Sequence, residues 1–167
     1  MILFAFAGNM DVGNFAKIVP SAKKIGVAKL PGYNFIFNKT ADDQSSKANI
    51  LQSSDPNDAV WGMLIELADN EKSNFLNAMP WAGDYMLTPV TCITEAGKIY
   101  AAEAFVALPH AVNTHLLPYD WYHKKVMQMA TKAGLPGYYT AKLALMPCKV
   151  DPDKERRRQE LEKLGSQ

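Results

Sequence analysis

The chain opens on an apolar run, Ile2 to Phe6, that predicts a strand and breaks at Gly8 and Asn9. Two β-prone stretches follow, 21–30 and 33–39. Pro31-Gly32 stands between them, so the pattern predicts a hairpin. The polar stretch 39–47 reads as a loop, 48–52 as a short strand, 53–58 as a turn cluster and 59–67 as a buried strand. Residues 68–79 predict a short helix with Asp69 as its N-cap and Pro80 as its stop. Strands are predicted at 85–94 and 98–108, joined through Glu95-Ala96-Gly97.

The period changes after Pro109. Tyr122, Val126, Met129 and Ala133 recur at helical spacing, with Pro118 suited to the first turn and Gly134 to the C-terminal cap. A second helix is predicted from Pro136, with Tyr139, Leu143 and Met146 on one face and Pro147 as its stop. The tail from Asp151 reads as a capped, charge-laced helix at a solvated end. Strands first and helices later predict an α+β fold, with residues 1–150 as one domain and 151–167 as a charged helical tail.

Composition narrows the function without naming it. The 167 residues are 48% hydrophobic and 21% charged, enough for one sizeable core. A formal net charge of +1 gives no reason to expect nucleic acid or an anionic membrane as partner. No apolar run approaches the roughly 20 residues needed to span a bilayer, and the start lacks a signal-peptide pattern. Cys92 and Cys148 are too few for a disulfide framework, so a reduced, cytoplasmic protein is expected.

Few motifs carry chemistry on their own. His110, His115 and His123 lack zinc-ligand spacing, and no metal site is expected. No nucleophile elbow is present. The stretch Gly8 to Gly13 is neither a dinucleotide fingerprint nor a Walker loop. From residues alone it reads either as a plain turn or as a loop whose backbone N–H groups cradle an anion.

An ordered series of segments nevertheless resembles the γ-glutamylcyclotransferase family over residues 1–146. The family's opening Tyr-Gly-Ser-Asn-Leu corresponds to Phe6-Ala7-Gly8-Asn9-Met10. Pro20-Ser21-Ala22, Gly26-Val27-Ala28-Lys29-Leu30, and Gly32-Tyr33 with Phe35 and Phe37 follow in family order. Val60-Trp61-Gly62-Met63 matches its Trp-Gly strand, and Tyr122, Gly134-Leu135-Pro136, Tyr139 and Leu143 match its late helices.

The resemblance implies a small mixed β-barrel with flanking helices. It also implies a cavity at the opening loop, where Phe6, Ala7, Gly8, Asn9, Met10, Tyr85, Phe105 and Tyr122 meet a γ-glutamyl-type ligand. The implied reaction closes the ligand's own α-amine onto its γ-carbonyl, giving 5-oxoproline and a free amine. It needs no cofactor, because nucleophile and electrophile share one molecule. A glutamate in the family's later loop serves as proton acceptor. Here that position falls on Pro80 or Ala82, neither of which can accept a proton. Phe6, Gly8 and Phe105 likewise stand where the family has hydroxyls.

Asp84, beside the lost position, and Glu103, on the same strand face as Phe105, are the substitute candidates. Inside an aromatic cavity either carboxyl would be expected to have a raised pKa. Two readings stay open: an enzyme that cyclises a γ-glutamyl or related small ligand, and an inactive relative acting as a small-molecule binding or protein-interaction module. Monomer and homodimer are both compatible with the sequence.

Overall fold

A computed structural model describes residues 1–77 and 83–165. Strands β1 (Ile2–Ala5), β2 (Lys23–Pro31), β5 (Ala59–Glu66), β6 (Tyr85–Thr94) and β7 (Ile99–Ala107) close into a barrel in the order β1-β5-β2-β6-β7. The barrel is mixed, since β1 lies parallel to β7 while its other neighbours pair antiparallel.

β5 sits between β1 and β2 and is buried from Val60 to Ile65, so it reads as a continuous apolar run rather than an alternation. Gly62 marks its tightest point. A Cβ there would overlap the Ala5 carbonyl oxygen and stand 2.9 Å from the Phe4 ring. Glycine is therefore what allows β1 and β5 to close at this level.

β2 and the following β3 (Tyr33–Thr40) do not form the predicted hairpin. β2 pairs with β5 and β6, and β3 pairs with β4 (Ser46–Gln52) in a separate two-stranded sheet. Gly32, at φ +71°, turns the chain out of the barrel and into this arm, in a conformation that glycine adopts at little cost. Its N–H donates to the Asp58 carbonyl and its carbonyl accepts from Ser53, which pins the corner. The hairpin turn is instead the predicted polar loop, between Thr40 and Ser46.

Asn49 ties the arm back to the barrel. Its Oδ1 accepts from the Ala107 N–H at 2.9 Å and its Nδ2 donates to Asn38 Oδ1 at 2.9 Å. Both asparagines are buried, and this pairing offsets part of the cost of stripping an amide of water, while Asn38 Nδ2 has no hydrogen-bond partner among the described residues.

Short helices α1 (Val12–Phe15) and α2 (Lys72–Asn77) cap one side through Phe15 and the fully buried Phe75, whose rings are 5.0 Å apart. Burial on this scale contributes about 2 kcal/mol per large apolar side chain. Asp69 is not an N-cap, because the 3-10 turn ahead of α2 starts after Ala68 and the Asp69 carboxylate pairs with the Met1 amine. Pro80, Trp81 and Ala82, which carry the predicted helix stop and the lost glutamate position, lie outside the described residues.

Helix α3 (Asp120–Ala133) buries Trp121, Val126, Met129 and Ala130 and ends at Gly134 as predicted. Pro118 lies ahead of the helix, not in its first turn, because Tyr119 is still extended. Helix α4 (Gly137–Ala144) buries Tyr139 and Leu143, and His123 Nε2 joins it to α3 through the Leu143 carbonyl at 2.9 Å.

The tail helix α5 (Lys154–Gly165) is tied down rather than merely solvated. Asp151, 1% exposed, takes Trp121 Nε1 at 2.8 Å and the Arg156 guanidinium at 2.7 and 2.6 Å. Arg157 pairs with Asp120, and Leu164 is buried. Among the described residues, no helix is long and apolar enough to cross a membrane.

Candidate functional site

The turn after β1 meets the β3–β4 arm, the near ends of β6 and β7, and α3 around a cavity of about 440 Å³. Gly8–Met10 form one 3-10 turn, and the Met10 N–H closes it onto the Ala7 carbonyl. The Gly8 and Asn9 N–H groups start this turn, where no preceding carbonyl of the turn can reach them. Phe6, Ala7, Gly8 and Asn9 all wall the cavity. Met10 does not. It is buried and borders a smaller hollow of about 200 Å³ with Met63 and Met129.

Tyr85, Phe105 and Tyr122 stand on the cavity wall, each held by neighbours. Tyr85 donates its hydroxyl to the Ala48 carbonyl at 3.0 Å, and Tyr122 accepts the Ala48 N–H at 3.3 Å. One residue of the arm is thus clamped by tyrosines from the barrel and from α3. Burial drives both phenols up, Tyr122 to about 12 and Tyr85 further, so neither ionises near neutrality. The Phe105 ring packs against Phe75 at 5.7 Å and Tyr85 at 6.0 Å.

The two candidate bases separate. Asp84 reaches the cavity. Its Oδ2 is 2.6 Å from Lys39 Nζ, and its Oδ1 is 3.9 Å from His110 Nε2. The hydrogen bond and charge of Lys39 hold the carboxyl below its ordinary value, opposite to the expected rise. The expectation considered an aromatic cavity and missed its cations. Glu103 is not among the described residues that wall the cavity. Its carboxylate turns to α2, where Lys72 Nζ lies 3.0 and 3.1 Å from its two oxygens. Sharing a strand face with Phe105 did not bring it to the same space, because an ammonium waits beside it.

Sequence reasoning missed the lysines. Lys39, Lys47 and Lys125 all border the cavity, with Asp42 at its exposed rim. Lys39 is 5% exposed, its ammonium 5.7 Å from the centre of the Tyr85 ring. Lys47 bonds to Asp43 Oδ2 at 2.9 Å and Ser45 Oγ at 3.0 Å, over the rings of Trp121 at 4.7 Å and Tyr122 at 4.8 Å. Burial lowers the Lys47 pKa against the pull of Asp43. Signals existed for two of them: Lys39 follows Phe35 and Phe37 at alternate positions, and Lys125 follows Tyr122 by one helical turn. No cluster of three or more potential metal ligands occurs among the described residues.

A solved structure named gamma-glutamyl cyclotransferase superposes with a TM-score of 0.82 at 22% identity, covering 98% of both chains. The chain has the γ-glutamylcyclotransferase-like fold. The uncharacterized human protein loc79017 matches with a TM-score of 0.76 at 23% identity, over 93% of this chain and 95% of that one. YkqA from Bacillus subtilis matches at 0.71 and 19% identity, over 89% of this chain and 55% of its own. No family model and no curated protein matches the sequence. The closed mixed barrel with flanking helices is therefore the architecture implied by the sequence resemblance.

Proposed function

We propose that the cavity beside the Gly8 turn binds a γ-glutamyl or closely related amino-acid-derived ligand. The observation that carries this reading is convergence. In a chain with the γ-glutamylcyclotransferase-like fold, the Gly8–Asn9 turn, Tyr85, Phe105 and Tyr122 border one cavity of about 440 Å³, large enough for a small amino-acid conjugate. The ammoniums on its wall suit the ligand's carboxylate.

Cyclisation of that ligand is a second reading, favoured by the presence of Asp84 on the same wall. Asp84 would take a proton from the α-ammonium. The freed amine would attack the γ-carbonyl, the ring would close as the amide C–N bond breaks, and the proton would return to the leaving amine. A base works best with a pKa near the working pH, and Lys39 holds Asp84 below its ordinary value. The chemistry through Asp84 would therefore be slow, and binding without turnover is the reading the geometry supports best.

The test is a panel of γ-glutamyl dipeptides and γ-glutamylamines, with binding followed by calorimetry and 5-oxoproline by mass spectrometry. Binding with no 5-oxoproline supports a binding module. 5-Oxoproline that disappears in Asp84→Asn supports the second reading. A panel that neither binds nor turns over sinks both.

A further inference from the structure

Three lysines line the cavity, and two have carboxylates of their own. Lys39 is answered by Asp84, and Lys47 by Asp43 with Ser45 and two rings completing its surroundings. Lys125 is different. Among the described residues it makes no ion pair, and Asp42, the other carboxylate of the wall, stays exposed at the rim without pairing to it. The Lys125 side chain is half-buried all the same. A partly desolvated cation with no counter-charge is an unbalanced arrangement, and an anion corrects it.

Its placement is set by the fold. Lys125 follows Tyr122 by three residues on α3, so both present to the same side. Its Cε lies 3.8 Å from where a Cβ on residue 8 would stand. The stem of Lys125 thus lies beside Gly8, the position where the resembled family pattern carries a serine hydroxyl. Beyond its chain neighbours, the side chain nearest that spot comes from α3.

We propose that Lys125 is the anion-recognising residue of the cavity, pairing its ammonium with a carboxylate of the bound ligand and fixing that group beside Gly8. The inference rests on the reading of this cavity as the ligand site. It adds that binding depends on a negative charge on the ligand, and that α3 rather than the barrel supplies the group that senses it. Lys39 and Lys47 do not duplicate this role, because their charges are already balanced within the protein.

The experiment uses two probes that differ in one group: γ-L-glutamylethylamide, and the same amide with its α-carboxylate converted to a carboxamide. Calorimetry at low and high salt is run on the wild type, Lys125→Gln and Lys125→Arg. Lys125→Gln weakens the carboxylate probe by about tenfold or more, the loss of one charge-assisted hydrogen bond. Lys125→Arg retains most of the affinity, and the carboxamide analogue, a cation with no carboxylate, binds Lys125→Gln at least as well as the wild type. In the wild type, affinity for the carboxylate probe falls as salt rises and that for the analogue does not. This readout is independent of any variant's folding.

Equal binding of the carboxylate probe by wild type and Lys125→Gln overturns the proposal. Glutarate and inorganic phosphate, titrated alongside, separate it from the γ-glutamyl reading. Lys125-dependent binding of either anion, with neither amide probe bound, upholds the anion seat and removes the γ-glutamyl ligand. A wild type that takes none of the four compounds overturns it.

Discussion

The Lys39–Asp84 pair makes an asymmetric prediction. Lys39 is buried, its side chain 7% exposed, while the Asp84 side chain is 46% exposed. Asp84→Ala leaves a buried ammonium whose remaining described neighbour of use is the Tyr85 ring, 5.7 Å away. Orphaning one member of a fully buried pair costs about 3–5 kcal/mol. Half of Asp84 faces water, so the pair is partly screened and the expected loss is about 2 kcal/mol. Lys39→Met removes the charge and leaves only an accessible carboxylate that rehydrates, so it changes stability by less than about 1 kcal/mol.

Urea unfolding followed by circular dichroism reads the difference. With a slope of about 2 kcal/mol per molar, Asp84→Ala lowers the midpoint by about 1 M. Lys39→Met barely moves it, and the double variant lies close to Lys39→Met. Equal costs for the two single variants, adding in the double, would refute the reasoning. The acid limb gives a second check. The folded Asp84 carboxyl is held below its ordinary 3.8, so its share of stability is present above that pH and lost as pH falls through the lowered value. Lys39→Met abolishes that share.

The remaining predictions concern the barrel, the tail and the thiols. Gly62→Ala forces apart β1 and β5 and costs about 3 kcal/mol, read as a fall in melting temperature of roughly 6–12 °C. Asp151→Asn loosens α5 by removing the charge that Arg156 pairs with, leaving Arg156 only Asp153 at 3.9 Å among the described residues, with faster protease cleavage ahead of Lys154 as the local readout. The Asp151 carboxyl, held near pKa 2 chiefly by Arg156, makes the wild type lose stability between pH 4 and 2, a limb that the variant lacks. Cys148 is exposed, whereas Cys92 is buried with its thiol pushed up to about 12, so one thiol reacts quickly with Ellman's reagent in the native protein and two after denaturation.

The barrel was legible in the sequence because its strands announce themselves locally. β5 is a buried apolar run, β6 and β7 flank a glycine turn, and Gly134 ends α3 where the helical period ends. Pairing was less legible. Pro31-Gly32 has the composition of a hairpin turn, yet nothing in two adjacent strands states that each will find a partner further along the chain. The cavity wall was legible as far as the resemblance reached, since the Gly8 turn, Tyr85, Phe105 and Tyr122 line one space. Its charges were not. Lysines in a polar loop or on a helix read as solvated positions, and only the folded arm turns Lys39 and Lys47 inward. Glu103 shows the converse, since strand alternation gave the right face and could not give Lys72.

The Gly32 corner makes the β3–β4 arm a separable cassette. Barrel closure passes from β2 to β5 and β6 without it, yet the arm delivers Lys39, Lys47 and the tyrosine-clamped Ala48 to the cavity. Grafting a different hairpin between Gly32 and Ser53 would reset the charge and shape of one wall while the frame that closes the barrel stays intact. One wall of the cavity and the closure of the barrel are thereby written in different segments of the chain, so the first can be re-engineered, or drift, without rewriting the second.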